Sequence, residues 1–237
     1  MEKSIKKENL KKNNNKNSQK IKKEVLSRIN SFFKEYRENL ENKDFLLIYK
    51  NDDREKEIFI RFLKKNFFHL TGLEIGQRSI SPIDFYKKLE NKTLKINDIA
   101  LGKFTEKKLK VYEEMIRIFK EQSRIGDYDS SNFYQKNLSI DKGMALSIPN
   151  SDMVLGIRFI GGRYTVPVSL LQQKLENISY KDTITDIVCM FEKNIKEEKY
   201  TKIVYATVEI ETLINNNKEL EDLLASELLE KINKKLV

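Results

Sequence analysis

Apolar residues at Val25, Ile29, Phe32, Phe33, Tyr36 and Leu40 recur at helical spacing while charges fill the positions between them. The first organised element is therefore predicted to be an amphipathic helix that needs a partner surface. Residues 45–49 (FLLIY) and 58–63 (IFIRFL) are short β-favouring runs, and the polar NDDREKE between them predicts two strands joined by a turn. KKNFFHLTGL follows and ends on Gly72, where a helix C-cap is the ordinary use of glycine. Ser81-Pro82 supplies a capping hydroxyl and a proline at the first helical position, with Ile83, Phe85, Tyr86 and Leu89 as the buried side. Thr105 can cap a second long helix whose stripe is Leu109, Tyr112, Met115, Ile116 and Phe119.

After Gly126 the pattern turns to strands. In VLGIRFI-GG-RYTVPVS, two alternating runs flank Gly161-Gly162, a pair suited to a two-residue hairpin loop. That loop places Arg158 opposite Thr165 and Phe159 opposite Tyr164. Leu155, Ile157, Phe159, Tyr164, Val166 and Val168 then share the core face, and Gly156, Arg158, Arg163, Thr165 and Pro167 the open one. Residues 187–191 (IVCMF) are apolar throughout, as a strand covered on both faces would be, and residues 203–208 (IVYATV) are expected to pair with them. Leu213, Leu220, Leu223, Leu224, Leu228, Ile232 and Leu236 predict a last amphipathic helix that closes the chain or offers a partner-binding face. The fold class is α+β: early helices packed on an antiparallel sheet of four or more strands, with helices flanking it at both ends.

Charge and composition narrow the possibilities. The 237 residues are 39% hydrophobic, enough for a sizeable core. Residues 1–23 hold nine lysines against two glutamates and so carry +7 of the formal +9, leaving +2 for the rest. That leader is too poor in apolar residues to offset its chain entropy and is expected to be disordered or weakly helical. Residues 24–208 are expected to form one domain and residues 209–237 the closing helix. No apolar run approaches the roughly 20 residues that span a bilayer, and no signal peptide is evident, so a cytoplasmic location without membrane contact is expected. Cys189 is the only cysteine and His69 the only histidine, which excludes internal disulfides, CxxC redox motifs and Cys/His zinc sites. Walker A, GxGxxG, HExxH and GxSxG motifs do not occur.

The remaining chemistry centres on His69, the one side chain that titrates near neutrality, although Phe67, Phe68 and Leu70 beside it equally suit a packed ring. Arg158 and Arg163 have the geometry to grip phosphate, and Lys103 and Lys142 lie in turn-like sequence where they can add charge. Asp127 and Asp129 have the spacing of a chelating pair but also the setting of turn residues, and Cys189 reads as a core thiol. Phe133 and Tyr134 could stack on bases, whereas alternation gives Tyr164 to the core.

FIRFLKKNFFHLTGL, SPIDFYKKL, LKINDI, TEKKLKVYEEM, IGDY and the pair VLGIRF and RYTVPVSLL, in that order, resemble the phage-associated branch of the nuclease superfamily named for barnase, EndoU, colicins and RelE. The resemblance spans roughly residues 45–207 and is most distinctive at HLTG. It implies early helices on a four-stranded antiparallel sheet and a metal-independent, cofactor-free RNase site on the exposed sheet face. There a ribose 2′-hydroxyl would attack the adjacent phosphate and leave a cyclic phosphate. His69 and Thr71 carry over as motif residues, and Arg158 and Thr165 join them through the hairpin register. The expected partner is RNA, tRNA included. Two other readings stand beside it: a non-catalytic inhibitor that binds RNA or a host defence protein, and an oligomerising or antitoxin-regulated partner protein.

Overall fold

A computed structural model describes residues 2–51, 54–74, 80–129 and 143–234. Helix α1 (Glu2–Asn39) buries Val25, Ile29, Phe32, Phe33 and Tyr36, and Leu40, one residue past its end, completes the first stripe. The range of α1 includes residues 2–23 of the basic leader. No glycine or proline interrupts the first 40 residues, so a helix nucleated by the packed half can propagate towards the N-terminus.

Strands β1 (Lys43–Asn51) and β2 (Arg54–Arg61) form the expected antiparallel pair. Helix α2 (Asn66–Thr71) leads through β3 (Leu73–Glu74) to α3 (Pro82–Glu90), whose Ser81 hydroxyl accepts from the Asp84 amide. Strand β4 (Ala100–Leu101) pairs with β3, and the long helix expected after Thr105 is two short ones, α4 (Thr105–Lys110) and α5 (Tyr112–Ile118), which meet at the non-helical Val111. Strands β5 (Arg124–Asp127), β6 (Gly143–Ser147), β7 (Val154–Phe159), β8 (Tyr164–Leu171), β9 (Thr185–Asn194) and β10 (Lys202–Ala206) follow.

The main sheet has the order β1-β2-β8-β7-β6-β5-β9-β10, and β1 also pairs with β9. Seven strands therefore close into a barrel-like ring, with β10 attached outside it. This corrects the expectation of an antiparallel sheet: the sheet is mixed, because β2 pairs with β8 in parallel, and it closes because β1 is bonded along both edges. The inner face, with Phe45, Leu47, Ile60, Ile125, Leu146, Ile157 and Met190, joins the early helices in one core. Phe32 and Phe67 meet there at 4.9 Å and Phe45 and Phe119 at 4.6 Å.

The β7–β8 hairpin departs by one residue from its expected register. Arg158 faces Val166 and Phe159 faces Thr165, and the Ile160 amide donates to the Tyr164 carbonyl at 3.2 Å, so the loop is the three residues Gly161-Gly162-Arg163. Both glycines take positive φ, +109° and +59°. One extra loop residue turns β8 over: Thr165 goes inside, fully buried, and Tyr164 faces outward, while Arg158 keeps its outward place.

Outside, Leu46, Ile48, Cys189 and Phe191 are covered by α6 (Ile210–Asn216), α7 (Lys218–Leu223) and α8 (Ser226–Lys234), three short helices where one was expected. Leu213, Leu220, Leu224, Leu228 and Ile232 are buried against that face, so the leucine stripe is satisfied within the chain. Cys189 is a core thiol, pushed up to about 12 by burial. Among the described residues no helix is long and apolar enough to cross a membrane. Leu220 is fully buried, so Leu220→Ala is expected to cost about 2–5 kcal/mol in urea unfolding; a cost near zero would show that α6–α8 do not unfold with the barrel.

Candidate nuclease site

The ring has two short seams, one between β5 and β9 and one between β2 and β8, which share only the pairs Phe59–Tyr164 and Ile60–Thr165. Beyond them β2 turns away and α2 takes its place along β8, held by Asn66. The Asn66 Nδ2 donates to the Pro167 carbonyl at 3.4 Å, and its Oδ1 accepts from the Leu63 amide at 3.0 Å. Within α2, Phe67, Phe68 and Leu70 point into the core, and helical geometry leaves His69 on the opposite side, exposed.

Gly72 ends α2 with φ +71°. The position is also crowded: a Cβ there would lie 2.8 Å from Lys108 Cδ and 3.1 Å from the Thr105 backbone. Thr105 does not cap its own helix. Its hydroxyl donates to the Gly72 carbonyl at 2.7 Å and accepts from the Gly102 amide at 2.9 Å, locking the start of α4 to the end of α2. Lys108, one turn on, passes under α2, and its ammonium donates to the His69 carbonyl at 3.1 Å and to Ser169 Oγ of β8 at 3.2 Å.

On the outer face of β7, Arg158 is exposed, within the range at which its charge acts on the His69 imidazole. Its cross-strand neighbour on β6 is Gly143, and Gly156, two residues back, faces Ser169, so the surface beside the guanidinium is built from small residues. Partial burial, then the charges of Lys108 and Arg158, lower the His69 pKa below its ordinary 6.5. Burial lowers that of Lys108 to about 8. Among the described residues no carboxylate pairs with Lys108. At neutral pH the site thus offers a neutral imidazole within electrostatic range of two cations. A base whose folded-state pKa is lowered binds fewer protons folded than unfolded. Stability therefore rises with pH below 6.5 for His69 and between about 8 and 10.5 for Lys108, and falls as pH drops through those windows.

His69 and Arg158 are both exposed and lie within electrostatic range of each other; the other sequence candidates divide. Thr71 is fully buried, its hydroxyl donating to the Phe68 carbonyl at 2.7 Å and accepting from the Leu73 amide at 3.2 Å, so it closes α2. Thr165 is equally buried and donates to the Phe59 carbonyl at 2.9 Å across the parallel β2–β8 pairing. Neither hydroxyl reaches the site. Arg163 is exposed over the Phe59 ring, and Lys103 is exposed at the entrance to α4, 5.4 Å from the Phe104 ring centroid. Lys142, Phe133 and Tyr134 lie outside the described residues. Asp127 belongs to β5, whereas Asp129 is buried and hydrogen-bonded to Tyr180. Among the described residues no three His, Cys, Asp or Glu side chains gather in a metal-ligating group. The groove of about 710 Å³ between α1 and α3 is a different kind of place: Arg37 and Glu90 face each other across it at 3.8 Å, and it has no imidazole.

Lys108 and Ser169 were not singled out by sequence. A signal for Lys108 existed in the helical spacing Thr105, Lys108, Leu109, Tyr112, which sets a lysine on the apolar stripe.

The family model described as phage-Barnase-EndoU-ColicinE5/D-RelE like nuclease4 matches residues 28–209. The chain belongs to this nuclease family. No curated protein and no solved structure matches it. The matched segment of this BECR-type nuclease domain contains all ten strands together with His69, Lys108, Arg158 and Ser169, and ends just before α6. In an NMR titration the His69 imidazole should have a pKa below 6.5, and Arg158→Gln should move it upward; a value that does not respond to Arg158→Gln would place the guanidinium too far away to share the site.

Proposed function

We propose that the protein is a metal-independent endoribonuclease of the cytoplasm, in which His69 and Lys108 transfer protons about a phosphodiester held by Arg158. The observation that carries this is the exposed imidazole within electrostatic range of an ammonium and a guanidinium. Both groups have lowered pKa values, His69 below 6.5 and Lys108 at about 8, and these lie on opposite sides of neutrality, as a base and an acid working at pH 7 require.

In the proposed reaction, neutral His69 accepts the proton of a ribose 2′-hydroxyl as its oxygen attacks the adjacent phosphorus. The bond from phosphorus to the 5′-oxygen breaks, and Lys108, protonated at neutral pH but lowered to about 8, gives that oxygen its proton. The products are a 2′,3′-cyclic phosphate and a 5′-hydroxyl, and the proton taken by His69 balances the one lost by Lys108. Arg158 meets the charge that grows on the non-bridging oxygens, by the bidentate contact its planar group favours. These cations already supply the positive charge that a divalent ion would bring, and they would repel such an ion.

Cleavage of a structured RNA or tRNA should persist in EDTA and end in a cyclic phosphate, and His69→Ala should slow it about 100- to 10,000-fold. The rate should rise with pH on a limb below 6.5 and fall on a limb near 8, the first lost in His69→Ala and the second in Lys108→Met. Undiminished turnover by His69→Ala, or tight binding of every RNA tested with no product, would overturn the assignment.

A further inference from the structure

The outer face holds a second set of cations, and the strand register connects it to the first. Arg158 of β7 lies opposite Val166 of β8, and Arg61, one residue past the Ile60–Thr165 pair, lies level with Val166 on the other side. Arg61 is paired with Asp44 of β1, which is paired in turn with Lys193 of β9. Arg61, Asp44 and Lys193 therefore form one outward row across β2, β1 and β9, and it begins just past the last β2–β8 pair, next to the row of Arg158 and Val166.

Two guanidiniums on this surface lie over rings. Arg61 sits 3.8 Å from the Tyr164 ring centroid and Arg163 sits 3.7 Å from that of Phe59. Asp44, fully buried, holds Arg61 by two bonds, Nε to Oδ1 at 2.7 Å and Nη2 to Oδ2 at 2.6 Å, which leaves Nη1 unengaged by that carboxylate. Arg163 meets Glu57 only at 3.8 Å. The side chains of Arg61 and Arg163 remain 28% and 49% exposed. Lys193 is buried under Tyr200, donating to the Glu198 carbonyl at 2.7 Å, and the Tyr200 backbone is bonded to Leu223 and Ala225, so the α7–α8 turn closes that end of the row.

We propose that an RNA strand cleaved at His69 continues along the outer face of β8 and β2, with Arg61 and Arg163 binding phosphates beyond the reacting one. This rests on the ribonuclease reading above and names two substrate-binding residues remote from the proton transfer. Asp44 and the two rings fix the guanidiniums in place before the strand arrives, so little side-chain freedom is lost on binding. The contacts are to backbone phosphate and carry no sequence preference.

The test is equilibrium binding of a single-stranded RNA of about 12 nucleotides, wholly 2′-O-methylated and hence uncleavable, over a range of salt concentrations. Arg163→Gln should weaken binding about tenfold and reduce the slope of log affinity against log salt by about 0.7, the value for one phosphate contact on a single strand. Arg163→Lys should keep the slope. Because removing Arg61 alone would strand the buried Asp44 carboxylate, the second variant is the double change Arg61→Gln with Asp44→Asn, and a similar loss is expected. Affinity and slope equal to the parent's in both variants, or no binding by the parent, would overturn the proposal. The probe never turns over, so a protein that binds in this way but makes no cyclic phosphate would defeat the catalytic reading and leave the track standing.

Discussion

Lys108 carries a positive charge into a half-buried place where no carboxylate among the described residues meets it, and the arrangement of the site follows from how that ammonium is satisfied. A cation held this way is costly, and its lowered pKa is the measure of that cost. Two of its three N–H groups go to the His69 carbonyl and to Ser169 Oγ, and its stem fills the space that Gly72 leaves by having no side chain. Three elements, α2, α4 and β8, are thereby fixed against each other, with the imidazole of His69 turned to solvent within electrostatic range of Arg158. A well-packed apolar residue at position 108 could fill the same volume, but it would not hold the His69 carbonyl or depress the imidazole.

The same place is one of the two short seams of the barrel. β2 and β8 share two residue pairs and part, and the helix that follows β2 fills the opening. A fully bonded ring would have no backbone edge for Asn66 to reach and no position from which a helix could present His69 beside strand residues. The seam between the two strands thus joins fold to chemistry. Its outer side also sets the row of Arg158 next to that of Arg61, so the imidazole site and the second pair of arginines belong to one surface.

Much of this could be read from the chain because burial has a short period. The α1 stripe, the apolar runs of β1 and β9, the Ser81-Pro82 start and the Gly72 C-cap are local patterns, and each appears where the sequence puts it. Ring closure was not legible, since nothing local says that β1 bonds to β9, nearly 150 residues away, as well as to β2. The hairpin register failed on a single residue: Gly-Gly suits a two-residue loop, but Arg163 joins the loop, and Thr165 and Tyr164 exchange faces. Of the candidate chemistry, His69 was visible because it is unique, and Arg158 because strand alternation exposes it. Lys108 was hidden among the many lysines of the chain even though helical spacing set it on the wrong face for a solvated one. Thr71 misled because a hydroxyl beside a histidine suggests catalysis, whereas at the end of a helix it bonds to the backbone first.

The central claim is that one phosphodiester touches both the imidazole and the guanidinium. It is tested most directly by following the side-chain NMR signals of His69 and Arg158 while a dinucleotide with a 2′-deoxyribose at the scissile position is added. Both signals should shift along saturation curves that give a single dissociation constant. Shifts at only one of the two, or two curves with different constants, would contradict a shared site.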